Sequence, residues 1–277
     1  MLGPMTAHRI TRTTITAVMI ALTAALIARA IAQNGLINNG YEAAFAADLA
    51  YLIVPPVLLF LLFPLWKTER RYIWEQFRFA SLSWRVATRA VIVGVLLRII
   101  WWSQLVAGIS FGVYRAPDAS AITPLDLHFQ CPQPAEIALG FIVMVALVPF
   151  VEETIHRGYV QGFLRQRGVI LSVLVSAAVF TVFHPYASWS FVFVAGLIFG
   201  IQYAVAKSLW PGLISHATIN FLIQLDWRCL HGRWNPPAES IPLVQPGVLA
   251  MLCLVIAVAI LITVIRSMTT EALNAPR

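Results

Sequence analysis

"PFVEETIHRGYVQGF", Pro149 to Phe163, closes a long apolar run and places Glu152, Glu153, His156 and Arg157 on what the pattern predicts to be one helix. The run leading into it is long enough for a bilayer crossing, which takes about 20 apolar residues for roughly 30 Å of hydrocarbon. Ionisable side chains in that layer cost about 2.5–3.5 kcal/mol each on insertion scales, so they face the bundle interior or a wet cavity. Glu153 and Arg157 are one helical turn apart and can pair along one face. Glu152 and His156 share the same spacing about 100° around the helix. One face therefore reads as an ion pair, and its neighbour presents a carboxylate left for other work.

Outward from that stretch the chain keeps the same character. Of its 277 residues 60% are hydrophobic and only 11% charged, where a soluble domain carries about 25% charge. The apolar segments are continuous rather than alternating, which excludes a β-barrel. The fold class expected is an all-α polytopic membrane protein with about eight transmembrane helices and the polar site inside the bundle. The spans fall near Thr13–Ile31, Ala47–Trp66, Val86–Phe111, Ala135–Gln161, Val169–His184, Trp189–Ala206, Leu209–Leu225 and Val248–Ile265. The first reads as a transmembrane helix rather than a removable signal, because no small-residue cleavage site follows it. Three segments are expected: 1–133 with helices 1–3, 134–226 as the core, and 227–277 with the last helix.

The net charge of +7 does not point to nucleic acid. Arg12, Lys67, Arg70, Arg71, Arg85, Arg89, Arg165, Arg167, Lys207 and Arg266 all fall on one side of the expected bundle. That bias marks the side as cytoplasmic and puts both termini there. With the short loops it suggests a bacterial inner membrane. The stretch "WKTERRYIWEQFRF", Trp66 to Phe79, reads equally as an amphipathic interfacial helix or a solvated loop. Cys131 and Cys229 fall in segments placed outside, compatible with a disulfide, while Cys253 reads as packing. Arg98 reads as a snorkelling or pairing residue.

Two further polar groups interrupt the apolar spans. With the turn between the fourth and fifth spans at Arg167-Gly168, Glu152 lies fifteen residues before it and His184 sixteen after it. At about 1.5 Å per residue the two reach similar heights on antiparallel neighbours. In "GLISHATINF", Gly212 to Phe221, His216 and Asn220 share a helical face, about 10–16 Å into the membrane. Carboxylate, imidazole and amide from three helices are thus expected near one depth.

Glu152-Glu153-x-x-x-Arg157-Gly158, Phe180-x-x-x-His184 and His216-x-x-x-Asn220, in that order, resemble the three-motif signature of the CAAX protease and bacteriocin-processing family, also called CPBP or Abi. The resemblance covers about Pro134 to Leu225. It implies an intramembrane endopeptidase in which Glu152 and His184 activate the attacking water. His216 and Asn220 would stabilise the oxyanion, and Glu153 and Arg157 would support the geometry. His156 departs from the family pattern, where an aromatic residue is common before the Arg. The resemblance further implies a membrane-associated peptide or protein substrate, such as a sorting or lipidated C-terminal tail, presented in the lipid bilayer.

The residue types suit peptide hydrolysis in their own right. A carboxylate can take a proton from water, and an imidazole N–H with an amide can donate to a developing oxyanion. No metal or other cofactor is needed for that scheme. Three alternatives stay open at this point. Glu152, His184 and His216 form a His₂Glu set of the kind that holds catalytic zinc. A buried Glu and His also serve as proton relays in transporters. The third is a non-catalytic membrane scaffold.

Overall fold

A computed structural model describes residues 10–77, 82–113, 134–224 and 244–274. Among these, no strand occurs, and the protein is an all-α, multi-pass integral membrane protein. The helices are α1 (Arg12–Asn38), α2 (Ala43–Tyr51), α3 (Val54–Gln76) and α4 (Trp84–Ser110). A composite helix, α5, covers residues 134–164, followed by α6 (Val169–Val182), α7 (Trp189–Ala206), α8 (Trp210–Gln224) and α9 (Val244–Asn274). The Cys131 and Cys229 pair and the segment from Ala116 to Pro134 lie outside the described residues, apart from Pro134 itself.

Six of the described helices, rather than eight, are long and apolar enough to cross a membrane: Arg12–Asn38, Phe45–Leu65, Trp84–Gly108, Ile137–Arg167, Trp189–Ala206 and Gly247–Glu271. The other two expected spans fall on α6 and α8, of 14 and 15 residues. Their length of about 21–23 Å is short of the hydrocarbon thickness. The second expected span is broken at Leu52 and Ile53, ahead of Pro55 and Pro56, because proline is accepted in a helix's first turn but not its interior. Cys253 is exposed on the lipid side of α9 rather than packed.

Local chemistry sets the other boundaries. Thr11 caps α1, its hydroxyl accepting from the Thr14 N–H at 3.1 Å. Gly168, at φ +115°, reverses the chain between α5 and α6, in a region that L side chains avoid.

The segment Trp66–Gln76 is neither a separate interfacial helix nor a loop, but the continuation of α3. Its end is tied down by cross-chain hydrogen bonds. The Gln76 carbonyl accepts from the Leu209 N–H at 2.9 Å and from the Ser208 hydroxyl at 3.2 Å. The Trp210 indole donates to the Phe77 carbonyl at 3.1 Å, and the Tyr72 hydroxyl to the Gly158 carbonyl at 2.9 Å. These satisfy carbonyls that a helix terminus leaves open.

Two apolar clusters meet at the site. One joins α1, α2 and α3 to α5 through Val18, Leu22, Tyr51, Val54, Val148 and Val151. The other joins α4, α7, α8 and α9 through Leu97, Phe199, Ile219 and Leu261. Arg98 stays inside α4 by laying its guanidinium over Trp101 and Trp102, 4.5 and 5.4 Å from the ring centroids.

Lipid tails supply no hydrophobic drive between helices, so close backbone approach carries the packing. At Gly94 a Cβ would sit 2.6 Å from both the Ser215 carbonyl oxygen and the Thr218 Cβ. Gly94→Ala is therefore expected to force α4 and α8 apart and to destabilise by about 1–3 kcal/mol. Thermal unfolding in detergent measures this, and an unchanged melting temperature would contradict the close approach.

Candidate active site

The winding of α5 prepares the site. Two stretches, Phe141–Leu147 and Thr154–Gln161, are wound as π-helix on either side of Val148–Glu153, a device found mostly at functional positions. The Val148 N–H donates five residues back, to the Val143 carbonyl. Pro149 has no N–H to give to Met144 in the same register. Both usual donors to the Met144 carbonyl are thereby removed. The amide of Asn220 donates to that carbonyl instead, at 2.7 Å.

Along the inner face of α5, Glu153, Arg157 and Gln161 form a buried polar ladder. Arg157 Nε lies 3.3 Å from Glu153 Oε2, with both side chains fully buried. Arg157 Nη2 donates to the Gly196 carbonyl at 3.1 Å, and Gln161 Nε2 to the Gly200 carbonyl at 2.8 Å. The ladder thus seals α5 against α7. The guanidinium also faces Phe180 at 4.5 Å and Phe199 at 5.4 Å. Gly212 makes room for the carboxylate, since a Cβ there would stand 2.8 Å from Glu153 Oε2.

Glu152 is different. Its side chain keeps 20% exposure beside the sealed Glu153. His216 bridges the two: its Nδ1 is 3.1 Å from Glu153 Oε1, and its Nε2 is 3.7 Å from Glu152 Oε2. The first is a hydrogen bond with Nδ1 as the donor, because a carboxylate accepts. The second is beyond hydrogen-bond length. Phe199 stacks on the His216 ring at 5.2 Å.

His184 stands just past the end of α6 rather than within it. Its Nδ1 meets the Phe180 carbonyl at 2.8 Å. A carbonyl only accepts, so Nδ1 carries the proton and Nε2 keeps its lone pair. Phe180 separates the two histidines, 4.6 Å from the His184 ring and 5.9 Å from that of His216.

Residues 134–222 match the family described as type II CAAX prenyl endopeptidase Rce1-like. The chain carries an Rce1-like domain. No curated protein and no solved structure matches the chain. The match supports an intramembrane endopeptidase.

The Rce1-like domain brings Glu152, Glu153, Arg157 and His216 into direct contact and turns Asn220 towards Met144. His184 reaches the group across Phe180. Among the described residues no three His, Cys, Asp or Glu side chains are gathered so as to hold a metal ion, and the set Glu152, His184 and His216 does not form such a shell. His156 makes no pair with Glu152. It is buried edge-on to Phe180 at 5.1 Å, and its carbonyl accepts from Ser176 Oγ at 2.7 Å. Sequence reasoning missed Met144, whose role is that of a backbone atom. Pro149, in the midst of a run of helix formers, was the one local signal for it.

Proposed function

We propose that the protein is an intramembrane endopeptidase that hydrolyses a peptide bond of a membrane-associated protein or peptide, with Glu152 as the base. The observation that carries this reading is the contrast between adjacent carboxylates. Glu153 is closed off by Arg157, whereas Glu152 is partly open and faces His216 Nε2 at 3.7 Å. Only the second can meet water and substrate.

In the proposed reaction a water oxygen attacks the peptide carbonyl carbon while Glu152 takes one of its protons. The carbonyl π electrons move onto oxygen. Asn220 has two amide hydrogens, one spent on Met144, and the other donates to that oxyanion. His216 Nε2 is the second donor. With Nδ1–H given to Glu153, this requires the imidazolium, whose charge is balanced by the two carboxylates beside it. His184, with the Nε2 lone pair free, orients the water. When the tetrahedral intermediate collapses, the C–N bond breaks and the proton held by Glu152 passes to the leaving nitrogen. Water is thus divided between the acyl and amine products, and no metal is required.

The test is cleavage of a membrane-inserted peptide by purified protein in the presence of a strong zinc chelator. Retained activity, within about twofold of the untreated enzyme, is the expected outcome. Loss that added zinc restores would replace this scheme with a metal-dependent one.

A further inference from the structure

Two helices outside the matched segment also reach Glu152. Tyr51 is the last residue of α2, where the chain breaks before Val54. It is 4% exposed and belongs to the same buried cluster as Val148, Val151 and Ile155, the residues that bracket Glu152 on α5. The Arg29 guanidinium of α1 lies over its ring, 5.0 Å from the centroid. Asp48, one turn earlier on α2, is within electrostatic reach of Arg29, and Tyr51 is within reach of both Arg29 and Glu152. A guanidinium in the middle of a membrane span is costly, and a buried tyrosine places its hydroxyl where a partner can be found. Both requirements are met if the two residues serve the carboxylate between α2 and α8.

We infer that Tyr51, oriented by Arg29, is a positioning residue for Glu152: its phenolic O–H donates to the carboxylate and holds it towards the scissile bond. This rests on the proposed role of Glu152 as base. It assigns to α1 and α2 a part in the chemistry, beyond enclosing the core. A purely structural tyrosine would act through its ring, which packs in the cluster and carries the Arg29 contact. A positioning tyrosine acts through its hydroxyl, so the two roles separate on a single oxygen atom.

The experiment compares full-length wild type with Tyr51→Phe, Arg29→Gln, the double variant and Glu152→Gln on one membrane peptide. Phe keeps the ring, so Tyr51→Phe should melt as wild type does. Its kcat should fall about 10- to 100-fold with KM within about twofold, the pattern of an interaction made only in the transition state. Arg29→Gln should lower kcat less, and the double variant should be no worse than Tyr51→Phe alone, because Arg29 acts through Tyr51. If Tyr51→Phe keeps kcat within about twofold while Glu152→Gln is inactive, the tyrosine inference is overturned and the base stands. If Glu152→Gln still cleaves, the base assignment fails and the role of Tyr51 fails with it.

Discussion

Glu152→Gln is expected to lower kcat for peptide cleavage by about 10²–10⁴-fold, the range that general-base catalysis supplies. The glutamine amide fills the same space but cannot take a proton from water. Folding should persist, because Glu152 is the open member of the pair and makes no contact with the Arg157 side chain comparable to the 3.3 Å bridge of Glu153. Parallel measurement of turnover and of thermal unfolding in detergent separates the two properties. Cleavage by Glu152→Gln within about tenfold of wild type would remove this residue from the reaction. Glu153→Gln makes the informative control. It disturbs the ion pair and the Nδ1 bond of His216 together, so it should lose stability as well as rate.

Arg157→Met is expected to produce the largest loss of stability, about 3–5 kcal/mol, the cost of breaking a buried pair by removing one partner. Glu153 would be left fully buried without its counter-charge, and the bond to the Gly196 carbonyl would go with it. Arg157→Lys should rescue only part of this, since a single ammonium cannot reach Glu153, Gly196 and the Phe180 face at once. The double variant Glu153→Leu with Arg157→Met should recover much of the stability, because a buried pair replaced by apolar side chains is often neutral. Activity should not return, as His216 would have lost its anchor on Nδ1. Chemical denaturation in mild detergent gives the values. An Arg157→Met protein as stable as wild type would show that the pair is not sealed from water.

How much of this was legible in the chain depends on the range of the contacts. Local spacing carried the most: the Glu153 and Arg157 separation of one turn predicts their pairing, and the apolar pattern predicts the helical class. The convergence of Glu152 with His216 came from counting residues back from turns, which works because helices are rods of fixed rise. The same count placed His184 inside its helix, whereas α6 ends at Val182, ahead of Pro185. The two short spans, α6 and α8, looked full length because apolar residues continue past their ends. The extension of α3 to Gln76 was ambiguous in sequence, since its polarity suits a loop as well as a helix. It is decided by Leu209, Ser208 and Trp210, more than a hundred residues further on. Tyr51 and Arg29 carried no local mark either, as their neighbours in space are distant in the chain.

The wide turns of α5 have a consequence for how this enzyme type can change over time. Each wide turn accommodates extra backbone, and every residue gained or lost swings the remainder of the helix by about 100°. A one-codon deletion between Phe141 and Leu147 would let ordinary hydrogen bonding resume there while sweeping Glu152 out of its pocket towards the acyl chains. Length in this short tract is therefore under tighter constraint than side-chain identity: substitutions adjust the fit, but a lost residue re-aims the whole reactive face.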